Sequence, residues 1–102
     1  MTKTLENLKV AFSGESQANR KYTAFAKKAE EEGFPQVARL FRAAAHAETI
    51  HALNHLKAMG EVKSTVENLK TAIAGENYEV TSMYPSFISD AENEEEKKAL
   101  TS

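Results

Sequence analysis

A glutamate and a histidine lie on the apolar face of a predicted helix, and this pairing limits what the chain can fold into. Between residues 37 and 58, apolar positions recur at steps of three and four, as in an amphipathic helix. Glu48 and His51 occupy this line, and a carboxylate buried there without a partner would be costly. We therefore expect both side chains to bind a metal ion. The complete line is Val37, Phe41, Ala44, Glu48, His51, His55 and Ala58.

Turn residues divide the first half of the chain into two helices. The first is predicted to run from residue 4 to about residue 32, and Gly33 suits the left-handed residue that ends it. Pro35 suits the first turn of the second helix, which is predicted to end near residue 59. The short link between the helices predicts an antiparallel hairpin over residues 4–59.

The second half, residues 64–102, is predicted to be helical as well. Ser64 begins a capping-box pattern for a third helix. Pro85 lies inside that helix and is expected to cause a kink or a local irregularity. Asn93–Glu96 resembles another cap, which would begin a short fourth helix. The chain is thus predicted to be all-α.

The third predicted helix repeats the first. Ala11–Glu15 matches Ala72–Glu76, and Tyr22–Phe25 matches Tyr84–Phe87 at an offset that is one residue larger. One residue has therefore been inserted before Tyr84. Such an insertion is often absorbed as a π-bulge, and these bulges are frequent at functional sites.

The repeat adds three carboxylates to the candidate metal site. Glu15 lies on the apolar stripe of the first helix, and Glu76 is its counterpart in the third. Glu79 lies within the interval that holds the insertion. Glutamates and Glu-x-x-His motifs on paired helices form the ligand set of ferritin-like di-iron bundles, and such donors suit iron or manganese. Taken singly, each glutamate could instead be a solvated polar residue. The candidate ligands and catalytic residues are Glu15, Glu48, His51, Glu76 and Glu79.

Other polar residues near these positions have two interpretations each. His55 follows His51 by one turn, and we expect it to support the site or the core, with metal ligation as the alternative. Tyr22 and Tyr84 are expected to hydrogen-bond metal-bound carboxylates, with simple core packing as the alternative. His46 is off the stripe and is expected to be exposed.

Composition narrows the functional classes. The chain has 102 residues, a net charge of −2 and no cysteine, which excludes disulfides, thiolate zinc sites and iron–sulfur centres within it. We also expect no haem. Lys and Arg are spread along the chain and matched by acids, so no nucleic-acid partner is expected. No apolar run approaches the roughly 18 residues of a membrane span, and no signal peptide is evident, so a cytoplasmic location is expected.

The chain resembles rubrerythrin in its ferritin-like domain. The most specific segments are Gly14–Ala18, Gly75–Glu79 and Glu48–His51. The resemblance implies two iron ions, with manganese or a mixed pair as the alternative. It implies that Glu15, Glu48, Glu76 and Glu79 are iron ligands, and that His51 and Glu79 exchange at one iron with redox state. The implied activity is peroxidase, an oxidoreductase that reduces hydrogen peroxide to water in oxidative-stress defence.

Two departures from the family affect the expected partners. Rubrerythrins usually carry a rubredoxin domain with four cysteines, so a separate rubredoxin-like electron donor is expected here. The last Glu and His ligands also have no counterpart among the 102 residues. We expect an incomplete ferritin-like di-iron domain over residues 1–102: a four-helix bundle to which the chain supplies three long helices and the start of a fourth. Either the sequence is a fragment of a longer chain that completes the bundle, or a homodimer, with or without a domain swap, or a second polypeptide completes it.

Two other functional classes stay open from the sequence. The first is an iron-binding or ferroxidase protein without peroxide turnover. The second is a metal-free helical module that assembles with a partner.

Overall fold

The computed structural model describes residues 2–102, and these are helical nearly throughout. The helices are α1 (Lys3–Glu31), α2 (Pro35–Ala58), α3 (Thr65–Tyr78), α4 (Tyr84–Asn93) and α5 (Lys97–Thr101), with a π-helical segment, Glu79–Met83, joining α3 to α4. The described residues contain no strand. The prediction of an all-α chain with three long helical runs and a short fourth is confirmed.

The chain forms two compact units. The first ends at Val62 and contains α1 and α2, and the second is Lys63–Ser102. They correspond to the predicted hairpin and the second repeat. Whether residues 1–102 make up one incomplete domain stays a prediction.

The turn between α1 and α2 follows the predicted chemistry. Gly33 has a φ of 82°, and the amide of Phe34 donates to the carbonyl of Ala29 at 2.8 Å. These are the marks of a Schellman motif, in which a left-handed residue lets the last free carbonyls of the helix find donors. Pro35 lies in the first turn of α2, where no backbone donor is required.

Small side chains form the contact between α1 and α2. Every fully buried residue among those described is an alanine, which lets the two helices approach closely: Ala26, Ala29, Ala38, Ala45 and Ala52. We call the line Ala38–Ala45–Ala52 the alanine seam of α2. Within this hairpin the alanine seam, and not the Glu48 stripe, is the most buried line of α2. A helix buries most deeply the line that faces its neighbour, and the Glu48 stripe lies beside that line.

Two polar contacts fix how α1 and α2 are aligned. The Asn19 amide nitrogen donates to the carbonyl of Ala45 at 2.8 Å and to the Thr49 hydroxyl at 2.7 Å. Farther along the hairpin, Arg42 forms an ion pair with Glu30 at 2.6 Å. Because the amide contact is partly buried, a shift between the helices would leave polar groups without partners.

The second unit contains the predicted irregularity. Ser64 caps α3 by accepting a hydrogen bond from the amide of Glu67 at 3.2 Å. In the π segment the amide of Tyr84 donates five residues back, to the carbonyl of Glu79. Pro85 then falls in the first turn of α4, directly after the π segment. The expected π-bulge at the inserted residue is confirmed.

The apolar residues of the second unit are not covered within it: the residues from Lys63 onwards are exposed or half-buried, including Leu69 and Ile73. One expectation for this unit differs from the structure. Asn93 is the last residue of α4 and not a helix cap. Glu95 adopts a left-handed conformation with a φ of 59°, so the chain turns before α5 begins.

No helix among the described residues is both long enough and apolar enough to cross a membrane.

Candidate metal centre

The hairpin brings three of the predicted ligands together. Glu15 projects from α1, and Glu48 and His51 project from one face of α2. One donor atom of each lies within 4.8 Å of the others. His51 Nδ1 is 3.3 Å from Glu15 Oε1 and 3.5 Å from Glu48 Oε1. Two ligands at about 2.1 Å from one metal ion lie about 3 Å apart, so these distances are close to those within a coordination sphere.

The alignment of the hairpin explains why these side chains meet. Asn19 is one turn after Glu15 on α1, and its partner Thr49 lies between Glu48 and His51 in sequence. The amide contact therefore holds Glu15 opposite the turn of α2 that carries the other two donors. Thr49 also donates to the carbonyl of Ala45 at 3.2 Å, so the hydroxyl is fully used in the contact.

The carboxylates of Glu15 and Glu48 give this cluster a negative charge that favours binding of a cation. The Glu15 and Glu48 side chains are only 26% and 21% exposed, and the nitrogen-bearing side chains that contact them among the described residues are the imidazoles of His51 and His55. No lysine or arginine in that part of the chain forms an ion pair with either carboxylate. Two half-buried carboxylates beside an imidazole form a hard, anionic donor set of the kind that iron or manganese binds.

One oxygen of Glu15 is left without a hydrogen bond. Oε2 is buried and has no hydrogen-bond partner among the described residues. His55 Nε2 nevertheless lies 2.5 Å from it. The two oxygens of Glu15 thus point at different imidazoles: Oε1 at His51 and Oε2 at His55.

Tyr22 lies in an aromatic cluster between α1 and α2. Its ring is 6.1 Å from that of Phe41 and 6.3 Å from that of Phe25. Within the described residues its hydroxyl makes no hydrogen bond. These contacts are those expected of packing, and a hydrogen bond to a metal-bound carboxylate stays a prediction. His46 is exposed, as expected.

The remaining predicted residues belong to the second unit. Glu76 is exposed on α3, and Glu79 is half-buried at the first residue of the π segment. Tyr84 packs edge-on against Phe87, with ring centroids 6.3 Å apart. Their roles as ligands or as partners of ligands stay predictions.

The contact between Asn19 and Thr49 was not predicted from the sequence. A signal was present, because Asn19 completes the apolar stripe of α1 and a polar residue there requires a partner. The identity of that partner depends on how α1 and α2 are aligned, which the sequence pattern does not determine.

Comparison with known proteins identifies the family. A family model described as rubrerythrin matches residues 6–102. Nigerythrin from Nitratidesulfovibrio vulgaris is 47% identical over 111 residues, which cover 95% of this chain and 55% of nigerythrin. Rubrerythrin from Porphyromonas gingivalis is 41% identical over 106 residues, which cover 91% of this chain and 53% of the relative.

Solved structures of nigerythrin are similar as well. One, in a mixed-valence state, matches with a TM-score of 0.56 and 44% identity, and the match covers 98% of this chain and 56% of the other. A fully reduced, all-ferrous structure of nigerythrin gives a TM-score of 0.57 at 42% identity, covering 99% of this chain and 57% of the other. The chain thus spans about half the length of the relatives it matches.

The match to the family model over nearly the whole chain, the identity to its members and the shared helical fold lead to one conclusion. The chain belongs to the rubrerythrin family, a family of ferritin-like di-iron proteins.

Proposed function

We propose that this chain forms part of a rubrerythrin-type non-haem di-iron peroxidase, which reduces hydrogen peroxide to water in oxidative-stress defence. The observation that carries the proposal is the cluster of Glu15, Glu48 and His51, whose donor atoms lie within 4.8 Å of one another. Family membership supports the same assignment.

The proposed roles of the residues follow from their chemistry. Glu15 and Glu48 would bind the metal through their carboxylate oxygens, and His51 would bind it through Nδ1. Reduction of one peroxide to two waters consumes two electrons and two protons. When bound at this site, a pair of ferrous ions would supply the two electrons. The carboxylates of Glu15 and Glu48 lie where protons are consumed and can carry them.

The proposed site needs ligands beyond the hairpin. By the repeat, Glu76 corresponds to Glu15, and Glu79 is an additional carboxylate. The further Glu and His of the family's ligand set would come from a continuation of the same chain, from a second copy of it, with or without a domain swap, or from another polypeptide. A rubredoxin-like centre outside these 102 residues would return the electrons.

The proposal predicts a preference for peroxide over oxygen. The chain is loaded anaerobically with ferrous iron, and iron per chain and the mass of the assembly are measured. It is then mixed with peroxide or oxygen in a stopped-flow instrument. Peroxide is expected to oxidise the iron much faster than oxygen does, with water as the product. Faster oxidation by oxygen would support the ferroxidase alternative, and no bound iron would support the metal-free module.

A matched pair of variants on α2 locates the reaction. His51→Gln removes a proposed ligand and is expected to abolish or strongly reduce iron binding and peroxide turnover. His46→Gln makes the same change at an exposed residue of the same helix. The control should retain iron binding and peroxide turnover, and equal behaviour of the two variants would mean that His51 is not a required ligand.

A further inference from the structure

We propose that His55 is a positioning residue of this site: it holds Oε2 of Glu15 so that Oε1 faces Glu48 and His51. The inference rests on the proposed metal-binding function. His55 is not one of the three clustered donors, and its proposed role is to orient the carboxylate of Glu15.

The two oxygens of Glu15 are the starting point. Oε1 lies 3.3 Å from His51 Nδ1, on the side of the donor cluster. Oε2 lies 2.5 Å from His55 Nε2, one helical turn farther along α2. Residues four apart share a helix face, so His51 and His55 hold the carboxylate of Glu15 from the same helix.

Oε2 needs a donor, and His55 is the group within reach. The oxygen is buried and without a hydrogen bond among the described residues. A nitrogen and an oxygen at the separation of this pair require a hydrogen between them, because their lone pairs otherwise repel. A small rotation of the imidazole that aligns Nε2–H with Oε2 would satisfy both groups. With Oε2 held in this way, Oε1 is the oxygen that is left for a metal.

The geometry distinguishes this role from ligation. The atoms that approach one another closely enough for a shared ion belong to Glu15, Glu48 and His51. His55 contacts the opposite oxygen of Glu15. It is also not a simple core residue, since its side chain is 29% exposed and its Nε2 contacts a carboxylate. Partners that orient a ligand without touching the metal commonly change metal affinity by 10–100-fold when removed.

The test uses Co²⁺ as a spectroscopic probe on the whole chain. His55→Phe keeps a flat ring and removes the donor, and it should weaken Co²⁺ binding by about 10–100-fold. At saturation its visible absorption should match that of the wild type, because the ligands are unchanged. His55→Gln retains an N–H donor and should recover part of the affinity. His46→Phe, the same substitution at an exposed site of α2, should bind as the wild type does.

Several outcomes would overturn the proposal. Unchanged affinity in His55→Phe would mean that His55 does not position Glu15. An altered absorption spectrum at saturation, like the one expected for His51→Gln, would mean that His55 is itself a ligand. Loss of affinity together with a large loss of thermal stability in both His55 variants would indicate a structural role.

A second measurement needs no metal and separates this inference from the proposed function. If the wild type binds no Co²⁺, the metal-binding proposal fails. The His55 ring is then followed by NMR in the metal-free chain. Glu15→Gln should shift the Nε2 resonance of His55, whereas Glu6→Gln, an exposed substitution on the same helix, should not. No shift with Glu15→Gln would show that the contact between the two side chains is absent.

Discussion

The Asn19 side chain joins α1 to two groups of α2. Its amide donates to the Ala45 carbonyl and the Thr49 hydroxyl, at 2.8 and 2.7 Å. Amides are rare on the packing face of a helix, because an amide left without partners there costs free energy. Here both donors are used, so the amide stabilises one alignment of the helices, and that alignment places Glu15 opposite His51.

Replacing this amide should weaken the hairpin. Asn19→Ala is expected to lower the free energy of unfolding by about 1–3 kcal/mol, because both hydrogen bonds are lost. Asn54→Ala is the control, since Asn54 is exposed on α2 and the change in helix propensity is the same. Urea denaturation of the two variants gives the comparison. Equal stabilities would mean that Asn19 does not hold the hairpin together.

The ion pair between Glu30 and Arg42 predicts a pH dependence. The hydrogen bond from Arg42 lowers the pKa of Glu30 below 4.5. The stabilising contribution is therefore present above 4.5 and is lost as pH falls through the lowered pKa of the folded chain. Glu30→Gln should destabilise the chain slightly near neutral pH, and the difference from the wild type should vanish well below 4.5.

Salt provides the check on this ion pair. Because both side chains are exposed, added salt should shrink the effect of Glu30→Gln at neutral pH. Glu31→Gln removes the neighbouring charge, which has no ion-pair partner among the described residues. Urea denaturation that shows the same pH profile for both variants would contradict the assignment.

At the scale of the helices, the alanine seam determines how closely α1 and α2 pack. Ala38, Ala45 and Ala52 recur every seven residues, and each is at most 8% exposed. Side chains of this size leave no room for a larger residue. The bulky residues therefore lie on the two sides of the seam, and Phe41 packs against it from one of them.

A larger residue in the seam should push the helices apart. Ala45→Leu is expected to destabilise the hairpin by about 1–3 kcal/mol through overpacking. Ala43→Leu adds the same atoms at an exposed position of α2 and should change stability little. Thermal unfolding monitored by circular dichroism compares the two. A neutral Ala45→Leu would mean that the seam is loosely packed.

Local chemistry was sufficient to predict the helices. Gly33 and Pro35 delimit the turn between α1 and α2, and Ser64 caps α3 as the capping pattern predicts. The bounds of α1 and α2 differ from the predicted ones by one residue. The buried line of α2 is the alanine seam and not the Glu48 stripe. A periodic stripe shows which residues are apolar but not which of them face the nearest helix.

For the whole chain, the internal repeat explains what could be predicted of the site and what could not. The hairpin brings together Glu15, Glu48 and His51, and a short turn joins its two helices. Spacing and periodicity were therefore enough to predict these three ligands. Glu76 and Glu79 were selected because the repeat places Glu76 at the position of Glu15. Their neighbours depend on long-range packing, which neither the repeat nor local propensity specifies.

The exposure of the second unit has the same origin. Its apolar stripe repeats the stripe of α1. In the first unit that stripe packs against α2. Burial is a property of a pair of surfaces, so a stripe alone predicts that a residue can be buried but not what covers it.

The π segment Glu79–Met83 also bears on the history of the two repeats. After the extra residue, Tyr84 and Phe87 follow with the same spacing as their counterparts Tyr22 and Phe25 in α1. The sequence match between the two repeats therefore continues beyond the insertion. Pro85 now follows directly, in a first turn that tolerates it. Deleting the extra residue would place this proline inside a continuous α-helix, at a cost of about 3 kcal/mol. Deletion of the extra residue would therefore be tolerated only in a chain whose proline had already been replaced.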